Sequence, residues 1–290
     1  MSYSTEHAHN PDLAVDRPAL SGPVDSDHSP RDLSSTMAAV RGIAGLAAFL
    51  LLWEIAPEIG LVDGQFLPSP GAVFHELIRQ VTELSFWRAI GQTMRAWALG
   101  IAISGFLGIA LGVAIGVSPF LRRATHSTIE FLRPVPSVAL VPVAVVVYGI
   151  SLKAELLLIV YACFWIILIQ VLYGIADLDS VAVDNAKVLR LTWRQRIRYL
   201  VWPTTLPFLF TGLRLSATVA LILAISAELL IGTPGLGNAV ALAQSTGHVS
   251  RMYALVVVTG LIGILMNVLM RTAERRILAW HVSVRMDQTQ

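Results

Sequence analysis

The sequence predicts an all-α integral membrane protein with six transmembrane helices and a polar helical segment between the fourth and fifth of them. Three observations predict this class: the composition, the length of the uncharged apolar runs, and the distribution of basic residues among the loops. Hydrophobic residues make up 55% and charged residues 14% of the 290 residues, and the mean hydropathy is +0.68. A soluble domain of this size could not bury so much apolar surface beneath a charged exterior.

Six apolar segments are predicted to cross the membrane. A spanning helix needs about 20 predominantly apolar residues, and four runs without a charged residue supply that length or nearly so. The other two segments contain one basic and one acidic residue each. In chain order the six segments are 40–56, 96–121, 134–152, 156–176, 206–231 and 252–270.

Basic residues near the span ends predict the orientation of the chain. Cytoplasmic loops carry an excess of Lys and Arg. If the amino terminus is cytoplasmic, the segments 119–133, 177–203 and the stretch after 270 lie on the same side and hold three, five and four basic residues. The two short outer loops hold only Lys153 and Arg251. We therefore predict a multi-pass protein of the plasma or inner membrane with both termini in the cytoplasm.

The chain is predicted to comprise a disordered cytoplasmic tail at 1–36, a transmembrane domain at 37–281 and a short cytoplasmic tail at 282–290. The first segment contains four prolines and six acids against two arginines, with little to bury. It lacks the basic start and early apolar core of a secretory signal. The one cysteine, Cys163, excludes an internal disulfide and is expected to be a small buried side chain.

The second span carries a small residue at every fourth position. Small residues at this interval let another helix approach closely, so we predict that this face packs on a neighbouring helix and does not bind a ligand. Segment 71–95 is predicted to be an amphipathic helix that enters the span. The small residues are Gly100, Ser104, Gly108, Gly112 and Gly116.

Prolines interrupt the third span. Pro136 and Pro142 each remove a backbone donor and are expected to kink the helix. The freed carbonyl groups must be satisfied by neighbours or by a water-lined cavity. A kinked helix beside a translocation path and an ordinary structural kink both fit this pattern. Between the fifth and sixth spans, segment 232–238 is predicted to be an outer turn.

Two charged residues fall within the fifth span. Arg214 and Glu228 are separated by fourteen residues, or about 21 Å along a helix axis, so they cannot pair with each other. A charge at mid-membrane is costly, which makes Glu228 a candidate functional residue. A carboxylate that anchors the following loop fits equally well. We name Arg214 and Glu228, with Pro136 and Pro142, as candidates for a translocation path.

Segment 184–203 is polar and basic. Leu189, Trp193, Ile197 and Leu200 recur at spacings of four, four and three, which predicts one apolar face of a continuous helix. A basic amphipathic helix at a membrane surface binds lipid headgroups or a partner protein, and the pattern alone slightly favours lipid. The basic residues on the neighbouring face are Lys187, Arg190, Arg194 and Arg198.

The sequence contains no recognised motif for catalysis or for metal or nucleotide binding. It lacks the Gly-x-x-x-x-Gly-Lys-Ser/Thr loop that cradles phosphates and the Gly-x-Ser-x-Gly nucleophile elbow. No two histidines within a span have the spacing of metal ligands. We therefore predict a chain without catalytic, metal-binding or cofactor-binding residues.

The polar segment resembles the cytoplasmic coupling motif of ABC importer permeases, Glu-Ala-Ala-x3-Gly-x9-Ile-x-Leu-Pro. Asp184 and Leu200 match its acidic and isoleucine positions conservatively, and Ala186 and Pro203 match its second alanine and its proline. Arg190 stands where the motif has a glycine that permits a turn between two short helices. A reshaped turn is therefore expected. Two further departures are Asn185 for alanine and Trp202 for leucine.

Other stretches resemble the nitrate/sulfonate/taurine branch of these permeases. This ordered set lies on a similar six-span topology and covers about residues 40 to 281. The matching stretches are 67–70, 132–136, 206–207 with 212–214, and 227–228 with 235–237.

The resemblance implies a type I ABC importer permease fold and a division of labour between chains. Two permease copies, as a homodimer, would form the path for a small anionic solute, such as an aliphatic sulfonate, taurine or nitrate. An extracytoplasmic solute-binding protein would deliver it, and a dimer of cytoplasmic ABC ATPase subunits would bind and hydrolyse ATP. The residues implied in ATPase coupling are Asp184, Ala186, Lys187, Arg190, Arg194, Arg198, Leu200 and Pro203.

The same resemblance implies that this chain is not an enzyme, binds no cofactor itself and has membrane lipid but no nucleic acid as a further partner. Two alternatives remain open. One is a secondary transporter or channel that works without an ATPase and without the segment 184–203. The other is a membrane scaffold that does not transport, which would leave Glu228 and the proline-rich third span without a role.

Overall fold

The computed structural model describes residues 31–60, 62–63 and 65–277, and the regular secondary structure of these residues is entirely helical. The predicted tail at 282–290 and most of the predicted tail at 1–36 lie outside the described residues, so the predicted domain boundaries stay predictions. Helix α1 begins at Arg31. The α-helices are α1 (Arg31–Glu58), α2 (Pro70–Val81), α3 (Leu84–Val117), α4 (Pro119–Leu132), α5 (Val141–Tyr148), α6 (Leu152–Ala176), α7 (Ser180–Val188), α8 (Trp193–Arg196), α9 (Trp202–Ile231), α10 (Leu236–Ser245) and α11 (Val249–Ile277).

The chain divides into two units, Met1–Leu50 and Leu51–Gln290. The described part of the first unit consists of the beginning of α1. The second unit contains the end of α1 and all of the other helices.

Five helical stretches among the described residues are long and apolar enough to cross a membrane. They include α3, α6 and α11, together with a stretch within α1 and a long stretch that ends with α9. A sixth crossing is counted only if α4 and the segment Ser137–Tyr148 form one span, and these are bent by 81°. The span predicted at 134–152 is therefore broken, and it counts as a crossing only together with α4.

The third predicted span is short because prolines precede its helical pieces and Gly149 ends them. Pro134 and Pro136 lie between α4 and a 3₁₀ segment (Ser137–Leu140), which continues into α5. The two pieces total twelve residues, or about 20 Å, against a hydrocarbon core of about 30 Å. Pro142 lies in the first turn of α5, where no amide hydrogen bond is needed, so the predicted kink at Pro142 is wrong.

The core of the second unit is built from α3, α6 and α9. Helix α6 lies at its centre, and its residues Ile159, Cys163 and Ile167 are fully buried. The Cys163 thiol donates to the carbonyl of Ser216 on α9 (3.4 Å), and the Ser216 hydroxyl donates to the carbonyl of Cys163 (3.4 Å). The free cysteine is a small buried side chain, as expected.

Large apolar side chains cover the outside of the spanning helices. Phe106 on α3 is 73% exposed, and Ile222 on α9 and Ile264 on α11 are exposed as well. Exposure of such a surface to water is unfavourable, whereas lipid tails are as apolar as these side chains. The outward faces of α3, α9 and α11 are therefore suited to a bilayer.

Helices α2 and α10 pack at the end of the bundle opposite the segment 184–203. Segment 71–95 is not one helix, because α2 ends at Val81 and α3 begins at Leu84. The predicted outer turn at 232–238 is shorter than expected, since Leu236 already begins α10. Arg251 on α11 pairs with Glu83 (3.2 Å), which holds the break between α2 and α3 against the start of α11.

Candidate coupling segment and translocation path

The polar segment 184–203 contains two short helices joined by a turn. Helix α7 ends at Val188, and α8 begins at Trp193. The prediction of a continuous helix carrying Leu189, Trp193, Ile197 and Leu200 on one face is therefore wrong. Spacing alone could not reveal the break, because residues on either side of a turn can keep a helical interval by chance.

Arg190 adopts the left-handed conformation that the motif glycine would adopt. Its φ is 49°, and among the described residues no other non-glycine residue has a positive φ. The amide of Leu191 donates to the carbonyl of Ala186, and the amide of Arg190 donates to that of Lys187 (both 3.0 Å). This pair of bonds defines a Schellman motif. The turn is thus preserved, and the arginine side chain bears the steric cost of that conformation.

The second half of the segment is fixed by a side-chain cap and by proline. Gln195 Oε1 accepts hydrogen bonds from both the amide (2.8 Å) and the hydroxyl (2.9 Å) of Thr192, which stabilises the start of α8. A π-helical segment, Ile197–Val201, then leads into α9. Pro203 lies in the first turn of α9 and has no amide hydrogen to bond to the preceding turn, which favours a local irregularity at this junction.

The segment presents a mixed basic and apolar surface. Asp184 and Lys187 form an exposed ion pair (2.8 Å), while Ala186 is buried against the bundle. Arg190, Arg194 and Arg198 are all exposed. Beside them, the apolar side chains Val188 (80% exposed), Leu189 (71%) and Trp193 (53%) also point away from the core. Exposed apolar groups on a capped, ordered turn are typical of a protein-binding surface.

The four translocation-path candidates do not come together in one site. Pro136 and Pro142 are exposed beside the 3₁₀ segment and α5. Arg214 on α9 pairs with Glu274 on α11 (3.0 Å), near the end of the bundle that carries the coupling segment. Glu228 lies fourteen residues further along α9, towards the opposite end.

Glu228 is fully buried and holds the turn that follows its own helix. Its Oε2 accepts a hydrogen bond from the amide of Gly237 (2.8 Å). Its Oε1 has no hydrogen-bond partner among the described residues and lies against Gly235, where a Cβ would overlap the carboxyl group. This geometry is that of a carboxylate that anchors the following loop.

A second buried carboxyl group accompanies Glu228. Glu155 on α6 is 2% exposed and lies within electrostatic range of Glu228. Neither carboxyl group pairs with a basic side chain of the described residues. In the sequence, Glu155 directly precedes the predicted span 156–176, and nothing marks it as a site residue. Its separation of 73 positions from Glu228 left no local signal of their proximity.

The small-residue face of α3 lies against α6. A Cβ at Gly108 would lie 2.9 Å from Ile167 Cγ2, and one at Gly112 would lie 2.8 Å from Val171 Cβ. Ser104 is fully buried and donates to the carbonyl of Gly100 (2.7 Å). At Gly100 and Gly116, an added Cβ would overlap isoleucine side chains of α6. The face therefore forms a close helix–helix contact built on β-branched residues of the partner helix.

These features define a class of protein: a helical, multi-pass membrane protein that carries a basic, capped turn at one end of its bundle. The comparison with known families agrees, since the model for the inner membrane component of binding-protein-dependent transport systems matches residues 104–279, more than half of the chain. The chain belongs to this family. The predicted resemblance to importer permeases is thereby confirmed.

Relatives in the family are transport permeases of several kinds. The taurine transport system permease protein TauC of Escherichia coli is 29% identical over 247 residues, which cover 83% of this chain and 90% of that protein. A putative aliphatic sulfonates transport permease of Bacillus subtilis is 27% identical over 252 residues (84% and 88%). A bicarbonate transport system permease of Synechocystis is 28% identical over 238 residues (78% and 84%).

Solved structures show the same fold at lower identity. A bacterial ABC transporter involved in alginate import superimposes with a TM-score of 0.62 at 15% identity, covering 85% of this chain and 98% of that chain. The methionine ABC transporter MetNI in an inward-facing conformation gives a TM-score of 0.56 at 18% identity, covering 67% and 96%. The predicted type I ABC importer permease fold is confirmed.

Proposed function

We propose that this chain forms the translocation path of an ATP-driven importer and takes a small anionic solute from an external solute-binding protein. Two copies of the chain would enclose the path, with both termini in the cytoplasm. A dimer of separate ATPase subunits would bind and hydrolyse ATP, so that this chain contributes transport but no catalysis.

The observation that carries the proposal is the surface of the coupling segment. The turn at Arg190 and the start of α8 are held by backbone and side-chain hydrogen bonds, and they display Leu189 and Trp193 beside Arg194 and Arg198. A helix lying on lipid would bury its apolar face along one continuous side. Here the apolar side chains cluster around a turn, which suits a groove on a partner protein. The ATPase subunit is the proposed occupant.

The names of the relatives support the proposed substrate class. The names of the relatives refer to taurine, aliphatic sulfonates, bicarbonate and nitrate. Each of these is a small molecule that carries an anionic group. We propose an aliphatic sulfonate or taurine as the substrate, with nitrate as the next choice. Since the four path candidates form no common pocket in one copy, selection would rest mainly with the solute-binding protein.

The first test is co-purification of tagged protein from its native membrane, with the wild type and with the variant Arg194→Glu/Arg198→Glu. We expect a stoichiometric ATPase chain with the wild type and its loss in the variant, because charge reversal removes the basic contacts through which the segment would bind its partner. The matched control is Arg275→Glu/Arg276→Glu, which reverses two exposed charges at the end of α11. This control should retain the ATPase.

The alternative function, a secondary transporter or channel, predicts a different result. The wild type would then carry no ATPase, and purified protein reconstituted alone would accumulate substrate in response to an ion gradient. Loss of the ATPase in the control as well as in the Arg194→Glu/Arg198→Glu variant would show that the coupling segment is not the specific contact. Unchanged uptake in the Arg194→Glu/Arg198→Glu variant would contradict the docking assignment.

A further inference from the structure

An open cavity lies between the ends of α3 and α6 and the helix α4. Its volume is about 600 Å³, within the range of small-molecule sites. Helix α4 is amphipathic, and none of its residues is buried, so it stands against the bundle without filling the space beside it. The cavity lies at the same end of the second unit as the coupling segment, since it reaches Ala176, the last residue of α6.

The wall of the cavity is apolar, and its rim is basic. Helix α4 contributes Arg122, His126 and Glu130 to the lining, and Arg133 follows directly at its C-terminal end. His126 Nδ1 and Glu130 Oε2 lie 3.3 Å apart. The two arginines and the one carboxylate give an excess of one positive charge, and the histidine can only add to it. The apolar part of the lining comes from Ile115, Ile129, Ile169 and Leu172.

The two arginines have unused hydrogen-bonding capacity. A guanidinium group carries five N–H donors. Arg122 donates from Nη2 to the carbonyl of Gly116 at the end of α3, which holds the guanidinium at the rim and leaves further donors free. The Arg133 side chain forms no ion pair with the described residues. Tyr173 of α6, which is 54% exposed, adds a hydroxyl at the same rim.

We propose that this cavity is a binding site for one anionic phospholipid, with the headgroup phosphate at Arg122 and Arg133 and an acyl chain along the apolar wall. An occupant must satisfy both surfaces, and a phosphodiester joined to a hydrocarbon chain does so. Its single negative charge matches the net charge of the rim. Basic pockets between membrane helices on the cytoplasmic side bind anionic headgroups in this way. The assignment of this leaflet as cytoplasmic rests on the proposed function, whereas binding itself does not.

Arg133 is the residue that best tests the site, because its guanidinium forms no hydrogen bond or ion pair with the described residues. The full chain, purified in neutral detergent, would be titrated with phosphatidylglycerol, and retained lipid would be counted by native mass spectrometry. We expect Arg133→Gln to weaken binding about tenfold, as the loss of one charge-assisted contact does. Arg122→Gln should weaken it similarly, although it also removes the bond to Gly116. The matched control is Arg123→Gln, since Arg123 is exposed on α4 but does not line the cavity.

Two further ligands test whether binding needs both the charged headgroup and the acyl chains of the lipid. Phosphatidylcholine, which has the same chains and no net charge, should bind at least tenfold more weakly than phosphatidylglycerol. Inorganic phosphate should not compete, because it lacks a chain for the apolar wall. Competition by inorganic phosphate at similar concentrations, or equal retention of the two lipids, would overturn the proposal. Equal losses in Arg133→Gln and Arg123→Gln would overturn it as well.

A second copy of this chain is the other molecule that could cover the cavity. The variant Ile129→Cys places a thiol on the apolar wall, and disulfide cross-linking in native membranes reports whether two copies meet there. We expect no cross-link between copies. Efficient cross-linking, together with unchanged lipid retention in Arg133→Gln, would assign the cavity to the interface between copies and overturn the lipid site.

Discussion

The Glu228 carboxylate and the Gly237 amide are joined by a buried hydrogen bond of 2.8 Å. It connects the end of α9 to the first turn of α10. Gly237 has no room for a side chain there, since a Cβ would overlap the carbonyl oxygen of Ile225. Thr93 of α3 accepts a second bond from the amide of Leu236 (3.0 Å). Two unpaired amides at the start of α10 are thus satisfied by side chains of α9 and α3.

Glu228→Ala and Glu228→Gln should differ in their effects. The alanine variant leaves the Gly237 amide buried without a partner and should lower the free energy of unfolding by about 1–3 kcal/mol. The glutamine variant retains a carbonyl oxygen in the same place and should lose much less. Thermal unfolding in one detergent measures both. If Glu228 is only an anchor, the glutamine variant also keeps transport. Normal stability with abolished transport would assign the negative charge a direct role in the translocation path.

Gly108→Ala and Gly112→Ala test the close contact between α3 and α6. A Cβ at either position would lie within 3.0 Å of a β-branched side chain on α6, so the two helices must separate. We expect each variant to lower the free energy of unfolding by about 1–3 kcal/mol, and leucine to be worse. Gly105→Ala is the control on the same helix, because its nearest neighbour would be 3.9 Å away. Equal thermal stability of all three variants would contradict a tight crossing.

The spanning helices were predictable, because hydropathy over about 20 residues is a local property of the chain. The break in the third span was harder to place. The sequence predicts kinks at its prolines, yet Pro142 lies in the first turn of α5 and Pro136 precedes the 3₁₀ segment. Whether a proline bends or bounds a helix depends on whether the preceding turn exists, which is decided by packing. The small residues of α3 were identifiable from spacing, whereas their partners on α6 were not.

The candidate site was predictable only in part, for a similar reason. The motif at Asp184–Pro203 indicated a turn at Arg190 between two short helices, whereas the apolar spacing alone predicted a continuous helix. Glu155 on α6 lies near Glu228, and Thr93 on α3 binds the start of α10 beside it. Proximity between residues so far apart in the chain cannot be seen in the local sequence. Helix α10 was missed because its glycine-rich start was interpreted as a turn. Tertiary contacts satisfy the backbone there, through Glu228 and Thr93.

The ion pair between Arg214 and Glu274 should stabilise the contact between α9 and α11. The atoms are 3.0 Å apart, and the Glu274 side chain is only 19% exposed. Arg214→Gln should cost about 1 kcal/mol, and the exchange Arg214→Glu with Glu274→Arg should restore most of it. Lys187→Gln breaks a pair within α7 whose side chains are 62% and 71% exposed, and it serves as a control with a smaller effect on stability. Restored stability without restored transport would support a direct role of Arg214 in the path.

Arg190→Gly should stabilise the coupling turn. The residue has a φ of 49°, which glycine adopts without steric cost and other residues adopt at about 1 kcal/mol. Arg190→Ala is the matched control, because it removes the charge but keeps the Cβ. We expect slower hydrogen exchange of the Leu191 amide in the glycine variant alone, since that amide closes the Schellman motif. Equal exchange in the two variants would show that the backbone at Arg190 is not strained. If the glycine variant also strengthens ATPase retention, the turn is a rigid part of the docking surface, whereas a weakened ATPase contact in both variants would show that the arginine side chain itself binds the partner.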